Sequence, residues 1–466
     1  MRRISQSIYR SFSRPSQSTF PVFLRPTYPF VLAASMSTTS SADDFSHLTA
    51  PPSNPPTDFS PSAKTPPIYD ASSGKWANPW PGWHQNALSE IIRMSWQTIG
   101  AKPLAGVQLD SALPVVKPTW GSDDSAVHYT WLGHASALVQ LYGVNVLIDP
   151  IFSDRCAPVQ FAGPKRYRPA PCTVAELPPI DMVLISHNHY DHLDSNTVKQ
   201  LAERAEKQRK ETGRTMKWYV GKGIDKWLSS NLGVRSEDAV GLVWWQDATH
   251  TLQPGQQQHA AESATAATTA SEPSTSTSTS ASSLSAASST SPSSGSPLVT
   301  CVPCQHFSVR NPLTDQSKTL WCGFTVTHRG FTFYYSGDTA YCAAFKQIGH
   351  HSPHINLAML PIGAYEPSWS APSYLNNTHA HTLTALQRLA SSAAHYSLCA
   401  VLYCFRVIRF MKHIHVNPSE AVDMFVDVKA DKAVGVHWYR PHLTPHLPPI
   451  HSIPFHQPAT QTHSHN

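Results

Sequence analysis

One short stretch limits what this chain can fold into more than any other feature of its sequence. Residues 186–194 read SHNHYDHLD and follow an apolar run at 182–186 that resembles a buried strand. The three imidazoles and one carboxylate within six residues of one another are His187, His189, Asp191 and His192. A strand that ends in a tight loop can direct the first two at one cation, and the following turn can direct the other two at a second. The stretch therefore predicts a metal centre at the end of a strand.

Two cations need more ligands than this loop supplies. The remaining candidates each follow a predicted strand, and they are His306, Asp338 and His437. Asp338 lies in a Gly-Asp-Thr sequence, where its carboxylate is well placed to bridge two cations. Alone, each would more often be an ordinary polar residue. Their shared position after strands makes them candidate ligands.

The hydrophobic pattern predicts an α/β protein with two sheets faced by helices, because a β-rich first half is followed by strands that alternate with helices. The predicted strands are 127–132, 137–141, 144–148, 182–186, 216–220, 241–245, 298–303, 321–327, 331–336, 355–360 and 433–437. The predicted helices are 85–99, a charged stretch after Asp194, 224–232, 339–348 and 418–428, the last with Asn417 as its cap.

Composition divides the chain further, because Ser, Thr, Pro and Ala dominate several stretches that have too few large apolar residues to pack. The predicted organisation is a leader at 1–36, a disordered linker at 37–75, a folded domain at 76–440 with a low-complexity insertion at 254–297 and an atypical insertion at 370–409, and a disordered His/Pro-rich tail at 441–466. The strand pattern resumes at Leu298, directly after the low-complexity insertion, as though nothing had intervened.

The net charge of +5 belongs to the leader. The chain has 35 Lys and Arg against 30 Asp and Glu, and five basic residues precede the first acidic one: Arg2, Arg3, Arg10, Arg14 and Arg25. The rest is neutral, which argues against nucleic-acid binding, since that needs clustered Lys and Arg. An Arg- and Ser-rich leader without acidic residues is typical of a mitochondrial transit peptide. No apolar run reaches the ~20 residues of a spanning helix.

The sequence motifs also carry a resemblance to a known family. They are NPWP at 78–81, TWLGHAS at 130–136, DPIFS at 149–153, GPKR at 163–166, ELPPID at 176–181, the His cluster, PCQH at 303–306, GDT at 337–339, PIGAYEP at 361–367 and MKHIH at 411–415. The spacing H-x-H-x-D-H is the signature of the metallo-β-lactamase fold. The collinear set is similar to the N-acyl-phosphatidylethanolamine-hydrolysing phospholipase D family of that superfamily.

This resemblance implies a metallo-β-lactamase αβ/βα four-layer sandwich that holds two Zn²⁺ ions. By the family's pattern, His187, His189 and His306 would hold one zinc. The second zinc would be held by Asp191, His192 and His437, with Asp338 between the two. The implied catalytic residues are Asp191, Asp338 and His415, the last near the scissile phosphate. His134 and Asp149 are predicted to support the ligands from behind.

The implied reaction is hydrolysis of N-acyl-phosphatidylethanolamine to an N-acylethanolamine and phosphatidic acid, by a hydroxide shared between the two cations. The implied partners are a phospholipid substrate and a peripheral membrane surface, with a homodimer left open and no nucleic acid. Mitochondrial, membrane-associated localisation is predicted, with a cytoplasmic membrane-associated protein as the alternative.

Two departures from the family pattern keep other functions open. The insertion at 370–409 separates motifs that are nearly adjacent in the family, and it is either a lineage-specific loop or translated intron sequence. After His437 the chain reads Trp-Tyr-Arg-Pro where the family has Trp-Gly-Thr-Phe. The alternatives are a lactonase-like hydrolase on the same scaffold and a degenerate, non-catalytic member that has lost metal through its altered C-terminus.

Overall fold

The computed structural model describes residues 58–83, 111, 114–122, 124–252, 295–363 and 411–437, and the backbone of 455–456. The strands are β1 Ile68–Asp70, β2 Lys75–Ala77, β3 Val127–Gly133, β4 Ser136–Leu141, β5 Val144–Ile148, β6 Met182–Ile185, β7 Lys217–Gly221, β8 Ala239–Leu242, β9 Asp247–Thr249, β10 Leu298–Val302, β11 Gly323–His328, β12 Phe331–Tyr335, β13 Leu357–Pro361, β14 Lys432–Val436 and β15 Phe455–His456. The α-helices are α1 Ser195–Thr212, α2 Ile224–Leu232, α3 Ala344–His351 and α4 Pro418–Asp427. A 3₁₀ turn spans Val174–Glu176.

The first sheet has the strand order β3-β4-β5-β6-β7-β8. Its β4–β5 hairpin turns at Tyr142 and Gly143, which both have positive φ (50° and 84°), as a tight two-residue hairpin requires. From β5 to β8 the strands are parallel. All four residues of β6 are buried, which explains its continuous apolar sequence. The carboxyl end of β6 therefore opens at the same edge as that of β5.

The second sheet has the order β15-β14-β13-β12-β11-β10-β9. Strands β12, β13 and β14 are parallel to one another, so their carboxyl ends lie at one edge. Strands β9 and β10 pair antiparallel, with Thr249 opposite Leu298. The predicted low-complexity insertion thus connects two hydrogen-bonded neighbours, which is why the strand pattern resumes directly after it.

Helices α1 and α2 cover the first sheet. Leu201 and Ala205 of α1 are buried with Val183 of β6 and Trp218 of β7 in one apolar cluster. On the other side, α4 packs against α3 and β13. Asn417 caps α4 by accepting a hydrogen bond from the Glu420 amide at 2.9 Å, as predicted. The α/β architecture with two sheets faced by helices is therefore confirmed.

The predicted linker is too long at its C-terminal end. Within 37–75 the structure contains β1, which pairs with β2. Thr65 is buried, and its hydroxyl accepts a hydrogen bond from the Gln347 side chain of α3 at 2.8 Å. This stretch is ordered through contacts with distant residues, which its Ser- and Pro-rich composition does not reveal.

Other boundaries also differ from the prediction. The helix expected at 339–348 begins only at Ala344, because Ala340 pairs with Gln305 in an isolated β-bridge. The tail expected to be disordered contains β15, which pairs with β14. The leader 1–36, the helix at 85–99 and the insertion at 370–409 lie outside the described residues, as does most of the insertion at 254–297.

Candidate metal centre

The His-rich loop begins where β6 ends and is closed by a tight turn. The His192 and Leu193 amides both donate to the His189 carbonyl, at 3.1 and 2.8 Å. Asp194 then caps α1, accepting from the Asn196 amide at 3.0 Å. These bonds fix the chain between a buried strand and a capped helix, so the polar side chains of the loop point to one place.

The first group of predicted ligands converges. His187 Nε2 lies 2.8 Å from His189 Nδ1, and His306 Nε2 lies 3.2 Å from the same atom. Two nitrogens on one tetrahedral zinc at about 2.0–2.1 Å lie about 3.3 Å apart. His306 comes from the loop after β10, in the other sheet. The sequence cluster and a residue more than a hundred positions away therefore form one triad.

The second group lies beside the first. His437 Nε2 is 3.7 Å from Asp191 Oδ2, and His192 Nε2 is 4.0 Å from the same oxygen. Asp338 Oδ2 lies 3.1 Å from His192 Nε2 and 3.2 Å from His437 Nε2. The same oxygen is 4.0 Å from His306 Nε2. Asp338 therefore stands between the two groups, as the resemblance implied.

Asp338 reaches this position through a tight backbone turn. Gly337 has a φ of 65° and a side-chain carbon there would lie 2.7 Å from the Cys322 carbonyl oxygen. A residue other than glycine would therefore clash as well as strain the backbone. The Gly-Asp pair is what allows the chain after β12 to turn its carboxylate into the centre.

Two further histidines border the centre. His415 Nδ1 lies 3.7 Å from Asp338 Oδ2, and its ring stacks on that of His437 with centroids 5.1 Å apart. His134 Nε2 lies 3.2 Å from Asp191 Oδ2. It thus stands closer to the second group than its predicted supporting role required, within reach of the same cation.

Asp149 supports the centre from behind and is fully buried. Its Oδ2 lies 2.7 Å from His192 Nδ1 and accepts from the hydroxyls of Ser186 at 2.6 Å and Tyr335 at 2.5 Å. Ser186 Oγ in turn lies 3.0 Å from His187 Nδ1. Because Asp149 follows β5 and Tyr335 ends β12, this carboxylate also joins the two sheets.

These contacts set the tautomers of the ligands. Since Ser186 donates its proton to Asp149, its oxygen accepts from the Nδ1–H of His187. His192 likewise donates from Nδ1 to Asp149, and His306 donates from Nδ1 to the Ile414 carbonyl at 2.8 Å. Each ring is left with Nε2 facing the centre, which is how outer hydrogen bonds orient metal-binding imidazoles.

The centre has the electrostatics of a cation site. Burial and neighbouring imidazoles hold the pKa of His187 and of His189 well below the usual value, so both rings are neutral donors. Although burial opposes it, the charge of His192 keeps the pKa of Asp338 well below its usual range. The same pairing raises the pKa of His192 against burial. The neutral imidazoles of His187 and His189 and the ionised carboxylate of Asp338 are donors that divalent metals prefer.

The surroundings of the His192 Nε2 atom indicate whether a cation would fit in the centre. His192 Nε2 is buried and makes no hydrogen bond among the described residues, although it lies 3.1 Å from Asp338 Oδ2. This nitrogen and the Asp338 carboxylate thus face each other without the geometry of a hydrogen bond, and a cation bound by both would satisfy them. The residues present therefore fit a divalent metal.

The structure brings all the predicted site residues together, whereas sequence reasoning missed part of their support. The missed residues are Ser186, Tyr335 and Arg310. A single serine, tyrosine or arginine in a strand or loop has no pattern that marks it. Trp76 and Trp80 are 4% and 3% exposed and belong to the core. Trp80 Nε1 donates to the Cys304 carbonyl at 3.3 Å, beside the His306 loop.

Comparison with known proteins identifies the family. The profile of the Beta-lactamase superfamily domain matches residues 144–289 and 277–438. N-acyl-phosphatidylethanolamine-hydrolyzing phospholipase D 1 of Caenorhabditis elegans is 31% identical over 336 residues, covering 71% of this chain and 69% of that protein. The mitochondrial N-acyl-phosphatidylethanolamine-hydrolyzing phospholipase D of Saccharomyces cerevisiae is 23% identical over 407 residues, covering 78% and 67%.

A comparison with solved structures finds only distant likenesses. A metallo hydrolase from Ignicoccus hospitalis aligns with 71% of this chain and 99% of its own, at 15% sequence identity and a TM-score of 0.37. Within the residues described here, no helix is both long and apolar enough to cross a bilayer. The profile match and the 31% identical relative show a metal-dependent hydrolase. The chain belongs to the N-acyl-phosphatidylethanolamine-hydrolysing phospholipase D family of the metallo-β-lactamase superfamily.

Proposed function

We propose that this protein is a zinc-dependent phosphodiesterase that hydrolyses N-acyl-phosphatidylethanolamine to N-acylethanolamine and phosphatidic acid. The observation that carries the proposal is the position of Asp338 between two groups of ligands, with His415 beside it at 3.7 Å. This arrangement lies in a chain 31% identical to a relative named for that reaction.

The residues divide between the two cations. In the proposed site His187, His189 and His306 hold one zinc. Asp191, His192 and His437 hold the other, and Asp338 contributes to both. When bound, two zinc ions would supply Lewis acidity, lowering the pKa of a water molecule and neutralising charge on the phosphoryl oxygens.

The chain's own groups do the remaining work. The ionised carboxylate of Asp338 fixes the centre of the site, and its low pKa keeps it ionised. His415 is buried beside Asp338, where its imidazole can donate a proton to the departing alkoxide oxygen. General acids of this kind typically contribute 10²–10⁴-fold to a rate. Asp149 keeps the His187 and His192 rings oriented.

The test uses purified protein and a defined lipid. Mixed micelles containing N-acyl-phosphatidylethanolamine are incubated with the enzyme before and after chelation, and after Zn²⁺ is restored. We expect release of N-acylethanolamine and phosphatidic acid that stops on chelation and returns with zinc. Opening of a lactone without phosphatidic acid release would favour the lactonase-like alternative. Absence of bound metal and of both activities would favour the non-catalytic one.

The cellular setting is also proposed. The yeast relative is named as mitochondrial, and the leader of this chain has the composition of a transit peptide. We propose mitochondrial import and peripheral contact with a membrane that supplies the phospholipid. Fusion of residues 1–36 to a fluorescent protein tests the import: a cytoplasmic signal would contradict it.

A further inference from the structure

A half-buried arginine, Arg310, holds the metal-binding loop from outside the centre. Arg310 Nη1 donates to the Asn188 carbonyl at 3.0 Å and to the Leu193 carbonyl at 2.7 Å. Its Nη2 donates to Ser195 Oγ at 3.0 Å. The two carbonyls bracket the loop, so one guanidinium spans the segment that carries Asp191 and its neighbours.

The guanidinium is itself held in place. It lies over the ring of Tyr190 at 4.0 Å and faces the ring of Trp227 at 5.0 Å. The Arg310 amide donates to Asp315 Oδ1 at 3.0 Å. The aromatic rings contact the guanidinium, and the hydrogen bond to Asp315 fixes the backbone from which the side chain extends. The planar guanidinium therefore has few other orientations.

The position of Arg310 in the chain links the two halves of the centre. It follows His306 by four residues, and it binds the loop that carries His189 and His192. We propose that Arg310 is a positioning residue, which holds the loop 187–193 in its metal-binding conformation and ties it to the His306 loop. The proposal rests on the proposed metal centre.

The chemistry requires an arginine. A guanidinium has five N–H donors in a rigid plane and can satisfy both carbonyls and the hydroxyl together, whereas a lysine ammonium is a point charge on a flexible stem. In Arg310→Lys the charge and most of the bulk remain, but the two loop carbonyls lose their shared donor. The loop would then hold its ligands less accurately.

The chain offers a matched control in Arg204 of α1. Its guanidinium also donates to several carbonyls, including those of Ala175 at 2.9 Å and Pro178 at 3.2 Å. These acceptors precede β6, whereas the metal-binding loop follows it. Arg204 also lies nine residues after the start of α1, about 13 Å along the helix. Arg204→Lys therefore removes the same kind of contact away from the centre.

The experiment measures zinc affinity of the full-length variants by competition with a chromophoric chelator, and thermal unfolding of the same proteins without metal. We expect Arg310→Lys to bind zinc about tenfold more weakly than wild type, the lower range for loss of a residue that orients ligands. Arg204→Lys should bind zinc like wild type even when its melting temperature falls as far.

Other results separate the two proposals. Unchanged zinc affinity in Arg310→Lys, or an equal loss in both variants, overturns the positioning role. A wild-type protein that binds no zinc rejects the metal centre as well. Should Arg310→Lys not fold, Ser195→Ala, which removes one acceptor only, is expected to weaken zinc binding severalfold, and wild-type affinity in that variant would reject the role.

Discussion

The two halves of the metal centre are built in different ways. The first sheet contributes His187, His189, Asp191 and His192 from one loop after β6, within six residues. The second sheet contributes His306, Asp338 and His437 from three separate strand ends, spread over 131 positions. The first set is placed by a local turn and a helix cap. The second is placed by the pairing of distant strands.

This difference shows what determines the positions of the ligands in each half of the centre. A tight turn at His189 places the first set through hydrogen bonds between neighbouring residues. Asp338 and His437 meet only because β12, β13 and β14 are parallel and end at one edge. A ligand position that depends on long-range pairing forms late, because loop closure must come first.

The largest expected effect tests whether both halves serve a single centre. His189→Ala removes a ligand from the local set and Asp338→Ala removes the carboxylate from the long-range set. We expect each variant to lose about 10²–10³-fold in turnover of N-acyl-phosphatidylethanolamine, the range for loss of one group that stabilises the transition state. Wild-type turnover in either variant would contradict the assignment.

A control distinguishes loss of chemistry from loss of fold. His354 lies on the surface with its side chain 64% exposed, paired only with Asp431 among the contacts seen at its ring. His354→Ala therefore removes an exposed histidine that is not among the candidate metal ligands. Its turnover should equal that of wild type, and its circular dichroism should match both site variants.

The same difference explains what the sequence could predict. The sequence predicts the metal-binding loop at 187–192 because its four ligands lie within six residues and follow an apolar strand. Strand β6 could be predicted because a buried parallel strand has a continuous apolar sequence. The cap at Asn417 could be predicted because an Asn-Pro pair is typical of a helix start. The position after a predicted strand indicates that His306, Asp338 and His437 are candidate ligands. The family resemblance supplies the role of each.

What sequence could not supply is the support that crosses between sheets. Nothing near Tyr335 in the chain indicates that its hydroxyl binds Asp149, 186 residues away. The order of the segment before β2 was missed for the same reason, since Thr65 is held by Gln347, 282 residues away. Contacts of this kind have no sequence period and become visible only in the folded chain.

The next effect concerns the carboxylate that joins the halves. Asp149→Asn removes the negative charge of the carboxylate that accepts hydrogen bonds from Ser186, His192 and Tyr335. We expect zinc affinity to fall about 10- to 100-fold, as for other residues that orient metal ligands. Competition with a chromophoric chelator measures it.

Asp181→Asn is the matched control for that variant. Asp181 is equally buried and pairs with Arg214 at 2.7 Å, before the start of β6. Its loss should lower the melting temperature without changing zinc affinity. Equal zinc affinities in the two variants would mean that Asp149 serves stability alone.

A separate effect should appear in the pH dependence of stability. His250 is buried after β9, with Nδ1 3.1 Å from the Tyr219 hydroxyl of β7, so it also spans the two sheets. Burial lowers its pKa from 6.5 to about 4. The unfolded chain therefore binds a proton between these values and the folded chain does not, so stability falls as pH drops from 6.5 to about 4.

The size of this effect follows from the pKa difference. It corresponds to about 3 kcal/mol for one group. His250→Gln should remove that part of the slope, so the free energies of unfolding of the two proteins should converge as pH falls. Urea titrations at several pH values measure it, and parallel curves would show that His250 does not contribute.

The smallest effect compares the helix caps of the two halves. Asn417 caps α4 with hydrogen bonds that stay within the first turn, so Asn417→Ala should cost about 1 kcal/mol, as typical for an N-cap. Asp194 caps α1 but also accepts from Ser153, at its amide (2.9 Å) and its hydroxyl (2.9 Å). Asp194→Ala should therefore cost about 1 kcal/mol more. Because Ser153 follows Asp149 closely in the chain, only Asp194→Ala should also weaken zinc binding. Equal zinc affinity in the two cap variants would show that the local half of the centre tolerates movement at its edge.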